Sequence, residues 1–302
     1  MKPQIVLHLA SLTLAGALLC GNAFGEDEKL KVLIIDGQNN HNWKATTPVL
    51  VEALESCGQF EVAVSTSPPG GASQEAWEKW RPAFSKADTV VSNYNGQDWP
   101  EEVQKSFLAY VNGGGGFVVV HAANNSFGKW KEYNKIIGVG GWGGRKIGRD
   151  GPWVHIVDGK VVRDSETKGN GGSHGPRHPF KVEHIDTTHP VTKGLPAKWM
   201  HQKDELYCRL CGPAENMEVQ GFSYSPQSKR NEPMLMTISY GDGRVFHTPM
   251  GHDVEAMRCR GFFTIIQRGT EWAATGAVKR TAKVPDDFPT EEKVSVVPSA
   301  KK

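Results

Sequence analysis

Three histidines in this chain, His41, His121 and His252, each follow directly on a stretch that reads as a β-strand. Histidine changes charge near neutral pH, so it can act as general acid or base, and with carboxylates it also ligates metals. Carboxylates are at hand in Asp204-Glu205 and in Asp253, next to His252. The run His174-Gly-Pro-Arg-His178 lies in a loop able to close over whatever edge the others share. Asn124 and Asn125 stand just beyond His121. We therefore expect a catalytic set of His121, His41, His252 and Glu205, with His121 as the general base. Around it we expect a binding set that includes Asn124, His174, His178, Asp204 and Asp253. His189-Pro190, by contrast, reads as turn chemistry.

The element that must position these residues is Gly113-Gly-Gly-Gly-Phe-Val-Val-Val-His121, an apolar run bounded by glycines and broken abruptly at the histidine. So short a run reads as a strand buried on both faces, in the manner of a parallel sheet. Strands are also expected at 31–36, 60–65 and 89–94, with helices after Thr47-Pro48, around 75–80 and from Pro100. Thr47 would cap the first helix, with Pro48 in its opening turn. Strands alternating with helices imply an α/β fold with a doubly wound, mostly parallel sheet, a three-layer sandwich. Ligands of such sheets bind beyond the carboxyl ends of the strands, where His41 and His121 fall.

Later strands are expected at 180–185, 217–222, 234–239 and 244–248, the last two joined by the hairpin signal Tyr240-Gly-Asp-Gly243. A helix from 254 to 268 follows. Between 138 and 178 glycine is dense, and Trp142, Arg145, Trp153, His155 and His174 share the segment, which suggests a rim or lid rather than a plain linker. No glycine pattern here has the form of a phosphate loop.

The 302 residues carry a formal charge of +2, with 38% hydrophobic and 23% charged residues, ordinary values for one globular domain. No basic patch interleaved with aromatics points to nucleic acid. Residues 1–25 have the order of a secretory signal: Lys2, an apolar stretch from Ile5 to Cys20, then Ala23-Phe24-Gly25 before acidic residues. Cleavage after Gly25 would leave a periplasmic or secreted protein without a stable membrane span. Residues 29–276 form the expected domain, and 277–302, with no periodic apolar face, an expected disordered tail. Cys57, Cys208, Cys211 and Cys259 remain, as free thiols or one bridge, and a single CxxC completes no zinc site.

Taken together, Val32-Leu-Ile-Ile-Asp-Gly with His41, Gly115-Gly-Phe-Val-Val-Val-His-Ala-Ala, His189-Pro-Val-Thr-Lys-Gly-Leu, Asp204-Glu-Leu-Tyr207 and Gly243-Arg-Val-Phe-His-Thr with Gly251-His-Asp253 resemble the ThuA-like, trehalose-utilisation family. The resemblance runs from about Lys31 to Gly276 and implies the class I glutamine amidotransferase-like fold. The ending Gln267-Arg-Gly-Thr-Glu-Trp-Ala-Ala-Thr-Gly276 resembles the secreted branch found in planctomycete-type bacteria. Where amidotransferases of this fold carry a nucleophilic cysteine after the central strand, this chain has Val120-His121-Ala122, so glutaminase activity has no nucleophile.

The resemblance implies a small-molecule sugar substrate, a trehalose-like disaccharide or its 3-keto derivative. Suitable chemistry would be proton abstraction beside a carbonyl, by a lyase, isomerase or hydrolase, with or without a divalent metal. Trp43, Trp142 and Trp153 could stack on sugar faces. The alternative is a non-catalytic module that binds a sugar or docks on a partner. The sequence leaves the metal, the substrate and any oligomer open.

Overall fold

The structure is a computed structural model and describes residues 28–299. In chain order its first half contains β1 (Leu30–Asp36), α1 (Trp43–Glu55), β2 (Phe60–Thr66), α2 (Gln74–Lys79), β3 (Thr89–Ser92), α3 (Glu101–Asn112), β4 (Gly116–Val120) and α4 (Lys131–Ile137). The glycine-rich segment supplies β5 (Lys146–Ile147), β6 (Trp153–Val157), β7 (Lys160–Asp164) and β8 (Gly169–Asn170). The remainder is β9 (His178–His184), β10 (Lys198–Asp204), β11 (Met217–Ser225), β12 (Arg230–Tyr240), β13 (Gly243–Thr248), α5 (Val254–Met257) and α6 (Arg260–Thr275).

The main sheet has the spatial order β10-β9-β11-β12-β13-β4-β3-β1-β2. From β13 to β2 every pairing is parallel, and from β13 to β10 every pairing is antiparallel. The fold is thus α/β with a mixed central sheet, and β4 stands inside its parallel part. Side chains alternate across each parallel strand. Leu30, Val32, Ile34, Val118 and Val120 join one core with α1 and α6, whereas Leu33, Ile35, Phe117 and Val119 join the other with α3 and α4. That alternation is what a doubly wound sheet requires, and it explains why these strands read as unbroken apolar runs. Close packing depends on one glycine in particular: a Cβ on Gly269 of α6 would lie 2.1 Å from the Phe246 ring of β13.

Several expectations are corrected. α1 begins at Trp43, not Thr47, and Pro48 lies inside it. The Thr46 and Thr47 hydroxyls are not caps; they accept from the Asn93 side chain (3.0 and 3.1 Å) and tie α1 to the end of β3. The single helix expected from 254 to 268 is broken at Cys259, whose backbone is extended. Residues 277–299 are not a disordered tail. Glu271 accepts from the backbone N–H groups of Lys279, Arg280 and Thr281, and the Arg268 guanidinium donates to the carbonyls of Thr281 and Ala282. Arg260 N–H donates to Ser295, and Val297 is buried. Buried charges on α6 together with scattered apolar contacts of Val278, Val284, Phe288 and Val297 order this segment. The candidate signal, residues 1–25, lies outside the described residues. Among those described, no helix is long and apolar enough to cross a membrane.

Candidate functional site

Four strand ends deliver the site. β1 ends at Asp36 and turns through His41, whose N–H donates to Asn39 Oδ1 (3.0 Å). β4 runs straight into His121, which has φ +46° and opens a short 3-10 turn. A non-glycine residue in the left-handed region is uncommon, so the surroundings must hold it there. One restraint is visible: the His121 Nδ1–H donates to the Pro249 carbonyl (2.7 Å). β10 leads into Glu205, and β13 leads through Gly251 to His252.

The side chains converge. The imidazole centroids of His41 and His252 are 4.4 Å apart, those of His41 and His121 are 4.8 Å apart, and those of His121 and His252 are 5.5 Å apart. Glu205 Oε2 stands 3.2 Å from His252 Nδ1 and 3.6 Å from His121 Nε2. Its other oxygen is 3.7 Å from His174 Nε2. Tyr207 packs on His121 with centroids 4.2 Å apart and places its hydroxyl 3.4 Å from His41 Nε2. One potential ligand atom from each of His41, His121, Glu205 and His252 lies within 4.8 Å of all the others. Three histidines and a carboxylate in such a space could hold a metal ion.

Burial and the neighbouring imidazoles of His121 and His252 together push the His41 pKa down to about 4. At neutral pH that ring is uncharged and free to accept or ligate. Burial alone would raise the Glu205 pKa, but the adjacent imidazoles of His121 and His252 outweigh it and hold the carboxyl well below its usual range. The adjacent Glu205 carboxylate, against the opposing effect of burial, raises the His252 pKa. Glu205 is therefore a carboxylate at any ordinary pH.

Asp204 holds the arrangement in register. It is fully buried, and its Oδ2 accepts from the Gly251 N–H (2.7 Å) and from His201 Nε2–H (2.9 Å). Its Oδ1 accepts from the N–H groups of Glu205 (2.8 Å) and His252 (3.0 Å). One carboxylate thus fixes the backbone of two site residues that follow different strands. His201 is itself buried and stays protonated: burial would lower its pKa, but the neighbouring Cys259 and Asp204 carry it to about 9.

Above the cluster opens a cavity of about 300 Å³ lined by Asn40, His41, Asn95, Asn125, Trp142, His174, Glu205 and Tyr207, with Gly143 at its edge. Its rim comes from the glycine-rich segment. Gly172, at φ +85°, lets that strand pass Trp142 so closely that a Cβ would meet the Trp142 backbone nitrogen at 2.7 Å. The buried Arg145 pins the same rim to the turn after β4, donating to the carbonyls of Asn125, Ser126 and Gly141 and to Asn134 Oδ1. The segment is therefore a rim of the site, as its composition suggested.

The structure brings together His41, His121, His252, Glu205, His174 and Trp142. It places the other expected residues elsewhere. Asn124 is fully buried and donates to His247 Nε2 (3.0 Å), so it packs beneath the turn. Asp204 is turned inward, as described. Asp253 caps α5 and pairs with Arg177 (2.8 Å). His178 lines a separate cavity with Pro176, Leu206 and Pro226. Trp43 starts α1 beside Lys44, and Trp153 is buried, donating to Glu232 (3.1 Å). Neither lines the cavity. His121 sits behind Glu205, 2% exposed, where it supports the cluster rather than the cavity wall. Tyr207, Asn40 and Asn95 line the cavity without having been assigned a role; the two-residue spacing of Glu205 and Tyr207 in an extended segment was the available signal.

Residues 31–273 match the profile of a family described as ThuA, trehalose utilisation. Among solved structures, a ThuA-like protein from Parabacteroides merdae is 46% identical with a TM-score of 0.84, the alignment covering 89% of this chain and 98% of that one. Another from Bacteroides uniformis is 18% identical with a TM-score of 0.55, covering 86% and 98% of the two chains, and shows the shared fold. No curated protein matches.

Proposed function

Because this chain belongs to the ThuA family of trehalose utilisation, we propose that it is an enzyme of carbohydrate utilisation that acts outside the cytoplasm on a trehalose-like or 3-keto disaccharide. The observation that carries this reading is the convergence of His41, His121, His174 and His252 on one carboxylate at the floor of a polar cavity. At about 300 Å³ the cavity is at the small end of ligand sites, a size suited to one sugar ring with the second left at the mouth. The Asn40, Asn95 and Asn125 amides offer donors and acceptors for hydroxyls, and Trp142 offers a ring face.

The reaction we assign, on the 3-keto form, is removal of a proton from the carbon beside the sugar carbonyl; trehalose itself, a non-reducing acetal, offers no carbonyl for this step. His174 is the group best placed to take it. Its Nδ1–H donates to the Gly175 carbonyl (2.9 Å), which leaves Nε2 as the basic nitrogen, and it is exposed to the cavity. Once protonated, that nitrogen would face Glu205 Oε1, now 3.7 Å away, and the carboxylate would stabilise the imidazolium. The Tyr207 hydroxyl, whose pKa burial raises, stays protonated and can donate to the developing enolate. The β4 turn carries His121 where a thiol nucleophile would be needed, so amidotransfer is not part of this reading.

The leader-like residues 1–25 support export, and the Gln267–Gly276 stretch that closes α6 and its cap supports placement in the secreted planctomycete-type branch. N-terminal sequencing of the exported protein should begin near Glu26. The functional reading is tested by proton NMR of trehalose and 3-ketotrehalose incubated with the protein. Turnover of the 3-keto sugar that Glu205→Gln abolishes and His178→Ala leaves intact is expected. Saturable sugar binding without any conversion would instead favour a binding module.

A further inference from the structure

We propose that His41, His121, Glu205 and His252 form a binding centre for one first-row divalent transition-metal ion, zinc or a close neighbour. Three donor atoms of this set are buried and have no hydrogen-bond partner: His121 Nε2, Glu205 Oε2 and His252 Nδ1. They all point at one another, and the 3.2 Å contact between His252 and Glu205 is too poorly aligned to be a hydrogen bond. Buried polar atoms are almost always satisfied, so three orphans facing one point need a common partner. A cation supplies it.

The chemistry of the donors fits. Imidazole nitrogens with one carboxylate select first-row transition ions, whereas calcium and magnesium require oxygen shells. A tetrahedral ion with bonds of about 2.0–2.2 Å spaces its donors about 3.3–3.6 Å apart. Glu205 Oε2 already stands 3.2 and 3.6 Å from two nitrogens of the set. His41, on a half-exposed turn, has only to rotate to bring the widest separation of 4.8 Å into range.

The supporting groups fit as well. A ligating histidine normally donates its other ring nitrogen to a carbonyl or carboxylate, which leaves the coordinating lone pair free. His121 does so through Nδ1–H to Pro249. Asp204 fixes the backbones of Glu205 and His252. Charge points the same way: among the described residues, Glu205 has no lysine or arginine partner, only three imidazoles. His174 is outside the set, so it remains free for the proton transfer assigned above, and only the catalytic meaning of the ion rests on that reading.

The test uses tag-free, full-length protein, stripped with a chelator and titrated calorimetrically with zinc chloride alone. One equivalent of ion per chain is expected. His252→Ala and His41→Ala, which alter half-exposed side chains, should each weaken affinity at least ~100-fold, while His178→Ala should not. Uptake well below one equivalent by the wild type, or undiminished affinity in both ligand variants, would overturn the proposal. Sugar binding measured on the stripped protein separates the two ideas. If the sugar binds and zinc does not, the metal inference falls alone; if zinc binds and no sugar does, it stands without the functional reading.

Discussion

Replacing Glu232 with Gln should flatten a pH dependence that the wild type carries. Glu232 lies in β12 with no exposed surface; its Oε2 accepts from Trp153 Nε1–H (3.1 Å) and its Oε1 has no partner. Burial pushes the carboxyl up from 4.5 to about 7, outweighing Ser228, Trp153 and Arg209, which favour the ionised form. Below pH 4.5 the group is protonated in both folded and unfolded chains. Between about 4.5 and 7 the unfolded chain releases the proton while the folded chain keeps it, so stability falls as pH rises. Above 7 both forms are ionised and the curve is level. The gap of about 2.5 pH units corresponds to a ceiling of about 3 kcal/mol. Urea denaturation of both proteins from pH 4.5 to 8 isolates this group, because all other titrations are common to the pair. Glu232→Gln should gain about 3 kcal/mol on the wild type across that range, as its amide keeps the bond to Trp153 without a charge. A difference that stays constant within ~1 kcal/mol, or that moves the opposite way, would refute the assignment.

Two further outcomes follow from the site. Asp204→Asn replaces one acceptor oxygen of a buried carboxylate that takes four hydrogen bonds, and it should cost about 3–5 kcal/mol in urea denaturation; a loss below ~1 kcal/mol would show that the bonds are replaceable. Backbone amides between 138 and 178 should exchange with deuterium faster than those of the parallel strands in free protein, and should slow when a sugar is added, because that segment builds the cavity rim. Equal and strong protection in both states would make it a rigid wall.

The parallel strands were legible because their apolar runs are buried on both faces, and the histidines were legible because such strands must end at one edge. His41 and His121 follow from that rule alone. Glu205 was reached through its neighbour in Asp204-Glu205, but the sequence could not say which of the two faces the cavity. Successive residues of an extended chain point to opposite sides, so one faces the cavity and the other became the fully buried clamp. His178 failed for a similar reason: it opens β9, on the antiparallel side of the sheet, and its ring bonds to the Pro176 carbonyl. The hairpin of β6 and β7 was hidden by glycine density, and β10 by charged residues on its exposed face. Order in residues 277–299 depends on Arg268 and Glu271 inside α6, partners that composition of the tail does not reveal.

The central claim is that the cavity removes a proton from the carbon beside a sugar carbonyl, and hydrogen exchange measures that step without requiring any product. 3-Ketotrehalose incubated in deuterium oxide, followed by proton NMR, should lose the signals of the protons flanking the keto group far faster with wild-type protein than in buffer. His174→Ala should lower the enzymatic rate by about 10²–10⁴-fold with the fold intact. Exchange no faster than in buffer, or an undiminished rate in a folded His174→Ala variant, would contradict the account.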